Sequence, residues 1–142
     1  MNYMLTENPE SVDVKEVIDG LVEYNKSFVG GTKSIDVACY SHSADGIKTG
    51  GIVGQVWGNW LTIRYLWVSE EFRGKGIGCT LLTKLEQFAL AKGCVFSFLD
   101  TFSFQAKPFY EKYGYECQMT LENFPISTHR YYMTKKLMYA GS

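Results

Sequence analysis

No run of more than four apolar residues occurs anywhere in the 142-residue chain, so no segment can span a bilayer as a helix. Met1–Glu10 has neither a basic start nor an apolar centre. No secretory leader is expected, and the chain reads as a cytoplasmic protein with no membrane partner. Its 4 cysteines, Cys39, Cys79, Cys94 and Cys117, include no C-x-x-C pair, and its 2 histidines, His42 and His129, stand far apart. Neither a zinc site nor a disulfide framework is readable, so reduced thiols and no metal are expected. The 3 prolines are scattered, with no linker, repeat or low-complexity tract, which predicts one domain over 1–142. A charge excess is lacking too: the net charge is −1 and the pI about 6.1. Dedicated nucleic-acid binders are usually strongly basic, so none is expected as a partner.

What is present is ordinary for a globular core: 46% hydrophobic and 20% charged residues, with 22 aromatics (3 Trp, 10 Tyr and 9 Phe). That composition excludes wholesale disorder. The charges are unevenly placed. Residues 1–72 hold 5 basic and 10 acidic side chains, whereas 73–142 hold 9 and 5. An anionic ligand is therefore expected on the second half.

Val14, Val17, Ile18, Leu21 and Val22 recur at helical spacing after Asn8-Pro9. Ile35–Tyr40 and Gly51–Trp57 read as strands around the turn Ser43-Ala44-Asp45-Gly46, and Leu61–Val68 as a third strand. Leu81, Leu82, Leu85, Phe88 and Ala89 form one helical stripe that ends at Lys92-Gly93. Cys94–Leu99 reads as a short buried strand. Ala106, Phe109, Tyr110 and Tyr113 mark another helix, with Pro108 tolerable only in its first turn. Tyr115–Leu121 and Arg130–Leu137 read as a closing strand pair. With a leading strand, the order becomes strand, helix, three strands, helix, strand, helix, two strands. This predicts an α/β (α+β) domain: a mixed sheet of about six to seven strands, helices on both faces, and one strand–helix–strand crossover.

The sharpest local feature lies between the third strand and the long stripe: Arg73-Gly74-Lys75-Gly76-Ile77-Gly78. Alternate glycines leave main-chain N–H groups uncovered at a helix start, where orphan donors and the helix dipole favour an anion. Arg73 and Lys75 add positive charge, so the loop reads as a pyrophosphate cradle. The bland alternative is a solvated turn. No G-x-x-x-x-G-K-[ST] string occurs, so a Walker loop is excluded. A dinucleotide fingerprint would need a glycine where Cys79 stands, and too many residues separate strand and loop, which disfavours an oxidoreductase.

Leu66-Trp67-Val68 followed by Arg73–Gly78 resembles the [RQ]-x-x-G-x-[GA] signature of the GNAT superfamily of N-acetyltransferases. A second element, Ala106-Lys107-Pro108-Phe109-Tyr110-Glu111-Lys112-Tyr113-Gly114-Tyr115, is similar to that family's [LF]-Y-x-x-x-G-[FY] segment. The two lie one strand and one helix apart and span about 50 residues. One departure is Ser103, which stands where the family often has an Asn that contacts the cofactor.

The resemblance implies acetyl-CoA as cosubstrate, held by Arg73, Gly74, Lys75, Gly76, Ile77 and Gly78, with Ser103 as a further contact. It implies a bulged, splayed third strand whose Leu66, Trp67 and Val68 amides bond to pantetheine and to the thioester oxygen. It also implies that Tyr110 is the general acid for the departing CoA thiolate. Asp100, Glu70, Glu71, His129 and Tyr65 are candidate bases, and none is singled out. The acceptor groove would be built by about Asn25–Ser34 and Asn123–Arg130. Tyr24, Phe28, Trp57, Trp60, Phe124, Tyr131 and Tyr132 could wall a cationic amine there. A small-molecule amine, basic in character, is the expected acceptor, with a protein lysine or N-terminus as the alternative. A non-catalytic acyl-CoA sensor is the second class, and a homodimer is a possible assembly.

Overall fold

The stripe from Val14 to Val22 folds as predicted: helix α1 spans Ser11–Val29, with Asp13 in its first turn and Lys26 in its last, both complementing the helix dipole. A computed structural model describes residues 1–137. α1 lies in a compact unit of its own, Met1–Lys33, and buries none of its own side chains. No strand precedes it. Residues 1–10 have no alternating pattern, and Pro9, lacking an N–H, could not extend a ladder.

From Ser34 onward the chain forms the second unit. β1 (Ser34–His42), β2 (Lys48–Trp57) and β3 (Trp60–Val68) make an antiparallel meander. The expected turn between β1 and β2 is closed by Gly46 N–H to Ser43 O and Ser43 N–H to Ile47 O, both 2.9 Å. α2 (Ile77–Ala91) then crosses to β4 (Phe96–Phe102), which lies parallel to β3. α3 (Lys107–Lys112), β5 (Glu116–Leu121) and β6 (Arg130–Lys136) complete the fold, with Pro108 in the first turn of α3. The sheet is mixed and six-stranded, in the order β1-β2-β3-β4-β6-β5. β4 begins two residues later than predicted. Cys94 N–H instead bonds to Ala89 O and closes α2, and Val95 N–H bonds to Asn59 O.

Leu81, Leu82, Leu85 and Ala89 of α2 meet Ile52, Val56, Leu61, Ile63, Leu99 and Met133 of the sheet in one buried cluster. Each such leucine contributes about 1.5–3 kcal/mol by leaving water. Tyr110 of α3 and Tyr115 join the same cluster. The Tyr115 hydroxyl is paired: it meets Ser97 Oγ at 2.7 Å and donates to Glu86 Oε2 at 2.8 Å. Lys135 Nζ bonds to Glu86 at 3.0 Å.

Two irregularities position the site. The β2–β3 register jumps from Gly54↔Ile63 to Val53↔Tyr65, leaving Arg64 as the extra residue of a β-bulge. The extra residue reverses the side-chain alternation. Leu61 and Ile63 are buried, but Leu66 turns inward next, while Tyr65 and Trp67 are exposed. The second irregularity is that β3 and β4 pair only as far as Ile63↔Leu99. β3 runs on to Val68 and β4 to Phe102, each without the other.

Candidate active site

Where β3 and β4 part, a cleft of about 770 Å³ opens. One wall is β3 from Thr62 to Trp67 and the other is β4 from Phe98 to Phe102; Tyr110, Arg130 and Tyr132 also line it. Alternate main-chain groups of an antiparallel strand point away from its partner. Beyond the bulge, no β4 ladder takes those of β3. Leu66 and Trp67 are thus in the cleft as expected, whereas Val68 lies beyond its lining. The carbonyl of Val68 instead accepts the Arg73 Nε–H at 3.0 Å, which ties the glycine loop back to β3.

Tyr110 is buried, 7% exposed, and wedged edge-on against Phe109 and Tyr115, with ring centroids 5.2 and 5.7 Å away. Its hydroxyl bonds to no described residue and is thus available to the cleft it lines. Burial, with the Asp100 carboxylate as second cause, pushes its pKa up to about 12. The phenol is consequently protonated at any physiological pH.

The glycine loop starts α2 as expected. Gly74 and Gly76 adopt left-handed backbone, with φ of +78° and +81°, and nothing lies within 4 Å of a Cβ built on either. These two need glycine for conformation, not for space. Gly78 differs: a Cβ there would meet the Phe109 ring at 3.4 Å, an ordinary van der Waals contact where α3 packs on α2. Lys75, Gly76 and Ile77 line a smaller groove of about 190 Å³ beside Lys84, Thr80 and Tyr40. Lys75 of the loop and Lys84, two turns along α2, thus face one groove.

Ser103 is not brought into the cleft. Its Oγ accepts the His129 N–H at 3.1 Å and its own N–H bonds to His129 O at 2.9 Å. Nor does it cap α3, whose N-cap is Ala106 without a side-chain bond. Among the candidate bases, Asp100 and Tyr65 line the cleft. Glu70 and Glu71 sit exposed on a 3₁₀ turn, Glu70–Phe72. His129 packs near Tyr131, its Nδ1 buried without a partner.

The candidate aromatic wall is divided. Tyr24 and Phe28 neighbour each other on α1, Trp60 stacks on Phe96, and Tyr131 receives Lys107. Phe124 and Tyr132, joined by Phe102, surround the chain's own Arg130. Residue spacing did not single out Arg130 or Phe102, because β4–β6 pairing brings them together across nearly thirty residues. The bulge did leave a trace: inward apolar residues fall at 61 and 63, then at 66 and 68.

Residues 36–117 match the profile of the Acetyltransferase (GNAT) domain family. The chain belongs to the GNAT family. It is 34% identical over 115 residues to Acetyltransferase Atu2258 of Agrobacterium fabrum, covering 81% of this chain and 84% of that protein. It is also 34% identical over 101 residues to the blasticidin-S acetyltransferase of Streptomyces morookaense, covering 70% and 74%. A crystal structure of an acetyltransferase from Bacillus cereus superposes with a TM-score of 0.85 at 31% identity, covering 94% of this chain and 98% of that one. The protein is an acetyl-CoA-dependent GNAT acetyltransferase, with the mixed sheet described above. No helix among the described residues is long and apolar enough to cross a membrane.

Proposed function

We propose that the protein transfers the acetyl group of acetyl-CoA directly to the amine of a small molecule, with Tyr110 as general acid. The observation that carries this reading is the cleft itself. The unpaired edge of bulged β3 and the protonated Tyr110 line one cavity. When the amine nitrogen attacks the thioester carbon, negative charge builds on the carbonyl oxygen. Main-chain N–H groups of Leu66 and Trp67, which line the cleft, are the donors for it, and one such donor is worth roughly 3 kcal/mol in other acyl-transfer sites. Collapse breaks the C–S bond, and the Tyr110 hydroxyl gives its proton to the thiolate. The ammonium proton leaves to a cleft carboxylate or to water, and Asp100 is the carboxylate in place.

Arg73, Lys75 and the amides of Gly74, Gly76, Ile77 and Gly78 bind the CoA pyrophosphate in this reading. The left-handed glycines and the adjoining lysines fit that role. Ser103 Oγ accepts the His129 N–H and keeps its own O–H as the donor for a cofactor contact. A relative that acts, by its name, on blasticidin S supports a small-molecule acceptor. The acidic first half of the chain supports a basic one.

The test follows CoA thiol release from acetyl-CoA across a panel of small amines, alongside the thermal midpoint with acetyl-CoA, CoA and NADH. Turnover with at least one amine and stabilisation by both CoA species, not by NADH, is expected. Binding without turnover of any small amine would overturn the small-molecule acceptor and point to a protein lysine or N-terminus. No stabilisation by either CoA species would defeat the cofactor reading.

A further inference from the structure

Arg130 reaches the same cleft already restrained on most sides. Its guanidinium carbon lies 5.4 Å from the Phe102 ring centroid, 4.8 Å from Phe124 and 5.3 Å from Tyr132. Its Nε–H donates to Asp100 Oδ2 at 2.8 Å. A guanidinium has five N–H donors in a fixed planar fork, and only the Nε donor is used by a described residue. The Nη donors are left over. The side chain is 27% exposed, and the surface it keeps open belongs to the cleft lining.

Such a group is built for more than bracing a sheet. Asp100 and Arg130 sit diagonally across the β4–β6 ladder, and a brace needs only that ion pair. The three rings do something further: they flank the guanidinium and limit where it can swing. A fork held by an ion pair and flanked by rings binds a two-oxygen anion better than a mobile surface arginine does. Asp100 beside it disfavours a dianion such as phosphate more than a monoanion, which leaves a carboxylate as the matching ligand.

Resting on the acetyl-transfer reading above, we propose that Arg130 receives a carboxylate carried by the acceptor. The acceptor is then a small amine that also bears a carboxylate, an amino acid or a molecule with an amino-acid-like end. Arg130 acts here as a specificity residue and takes no part in proton transfer. Asp100 holds it in place through Nε. Tyr110, in the same cleft, serves the acetyl end.

The experiment uses matched sets of amines: L-amino acids, their carboxamides and the corresponding decarboxylated amines. kcat and KM are measured with saturating acetyl-CoA for the wild type, Arg130→Met and Arg130→Lys. In the wild type, kcat/KM should favour the carboxylate roughly ten- to hundredfold, chiefly through KM. Arg130→Met should bring that ratio close to one. Arg130→Lys, which keeps the charge without the fork, should fall between and serves where Arg130→Met does not fold. A wild-type ratio near one, or an unchanged ratio in both variants, overturns the proposal and leaves Arg130 a brace. If acetyl-CoA stabilises the protein yet no amine turns over, the same sets are read as ligands with CoA present. A midpoint rise that needs both the carboxylate and Arg130 supports the proposal, and its absence at millimolar ligand overturns it. Failure of acetyl-CoA itself to bind would instead defeat the reading underneath.

Discussion

Tyr110 and Asp100 line one cleft, and the Asp100 carboxylate, acting after burial, helps to hold the Tyr110 proton up to about pH 12. A phenol so placed keeps its proton at neutral pH, the form in which it can donate, although it gives the proton up less readily than a free phenol does. Replacing Tyr110 with Phe removes the proton and little else, because the hydroxyl bonds to no other described residue. kcat should fall about 10²-fold or more. The KM for acetyl-CoA and the urea midpoint near neutral pH should barely change. Steady-state kinetics on the better amine acceptor checks this, and an unchanged kcat would remove Tyr110 from the chemistry.

The same burial makes the fold sensitive to alkali. Tyr110 and Tyr115 both hold their protons above the ordinary phenol range, mainly because burial penalises the phenolate. Between pH 10 and pH 12 an unfolded chain releases both protons while the native state keeps them. The native state then binds more protons, so stability falls as pH rises through that window. Each tyrosine contributes a slope of about 1.4 kcal/mol per pH unit there. Urea unfolding at a series of alkaline pH values should show the decline, and the Tyr110→Phe protein should show roughly half of it.

Much of this was legible in the chain because it is local. Glycines 74, 76 and 78, the Tyr110 helix and the crossover between β3 and β4 each lie within a short span, where spacing alone constrains geometry. Gly78 was legible as a glycine but its neighbour was not, because Phe109 arrives from another helix. Arg130 and Phe102 meet through strand register, and a one-residue slip would send either side chain to the opposite face. Ser103 illustrates the same limit. Motif position places it near the cofactor, while its bond from the His129 N–H, across 26 residues, is visible only in the fold.

In the glycine loop, conformation and binding can be separated. Gly76 has left-handed backbone with open space around it. Gly76→Ala therefore meets no clash but costs about 1 kcal/mol in backbone strain. Gly76→Asn, better tolerated at positive φ, should cost less. Gly76→Val adds a branched side chain over the amides and should abolish stabilisation by acetyl-CoA while leaving a folded protein. Circular dichroism with thermal midpoints, with and without acetyl-CoA, distinguishes these effects. Retained stabilisation in the valine variant would place the pyrophosphate elsewhere.

Gly54 sits where β2 and β3 meet the bulge that precedes the cleft. It faces Ile63 just before the bulge, and a Cβ there would lie 2.6 Å from the main-chain oxygen of Thr62. That atom is backbone and cannot swing aside, so β2 and β3 would have to separate at the point where Arg64 is extruded. The same Cβ would also crowd Leu85 and Leu61, at 3.3 and 3.4 Å. Gly54→Ala should therefore destabilise by about 2 kcal/mol or more, although alanine is the smallest possible addition. Its effect on activity should exceed its effect on folding. Moving β3 shifts the unpaired N–H groups, and a displacement of about 1 Å can cost about 10²-fold in rate. Gly51, on the opposite face of the same strand, is the control, since a Cβ there meets the Tyr40 side chain at 3.1 Å, which can give way. Urea unfolding and kcat for the two alanine variants measure the difference, and equal losses would show that the bulge does not depend on Gly54.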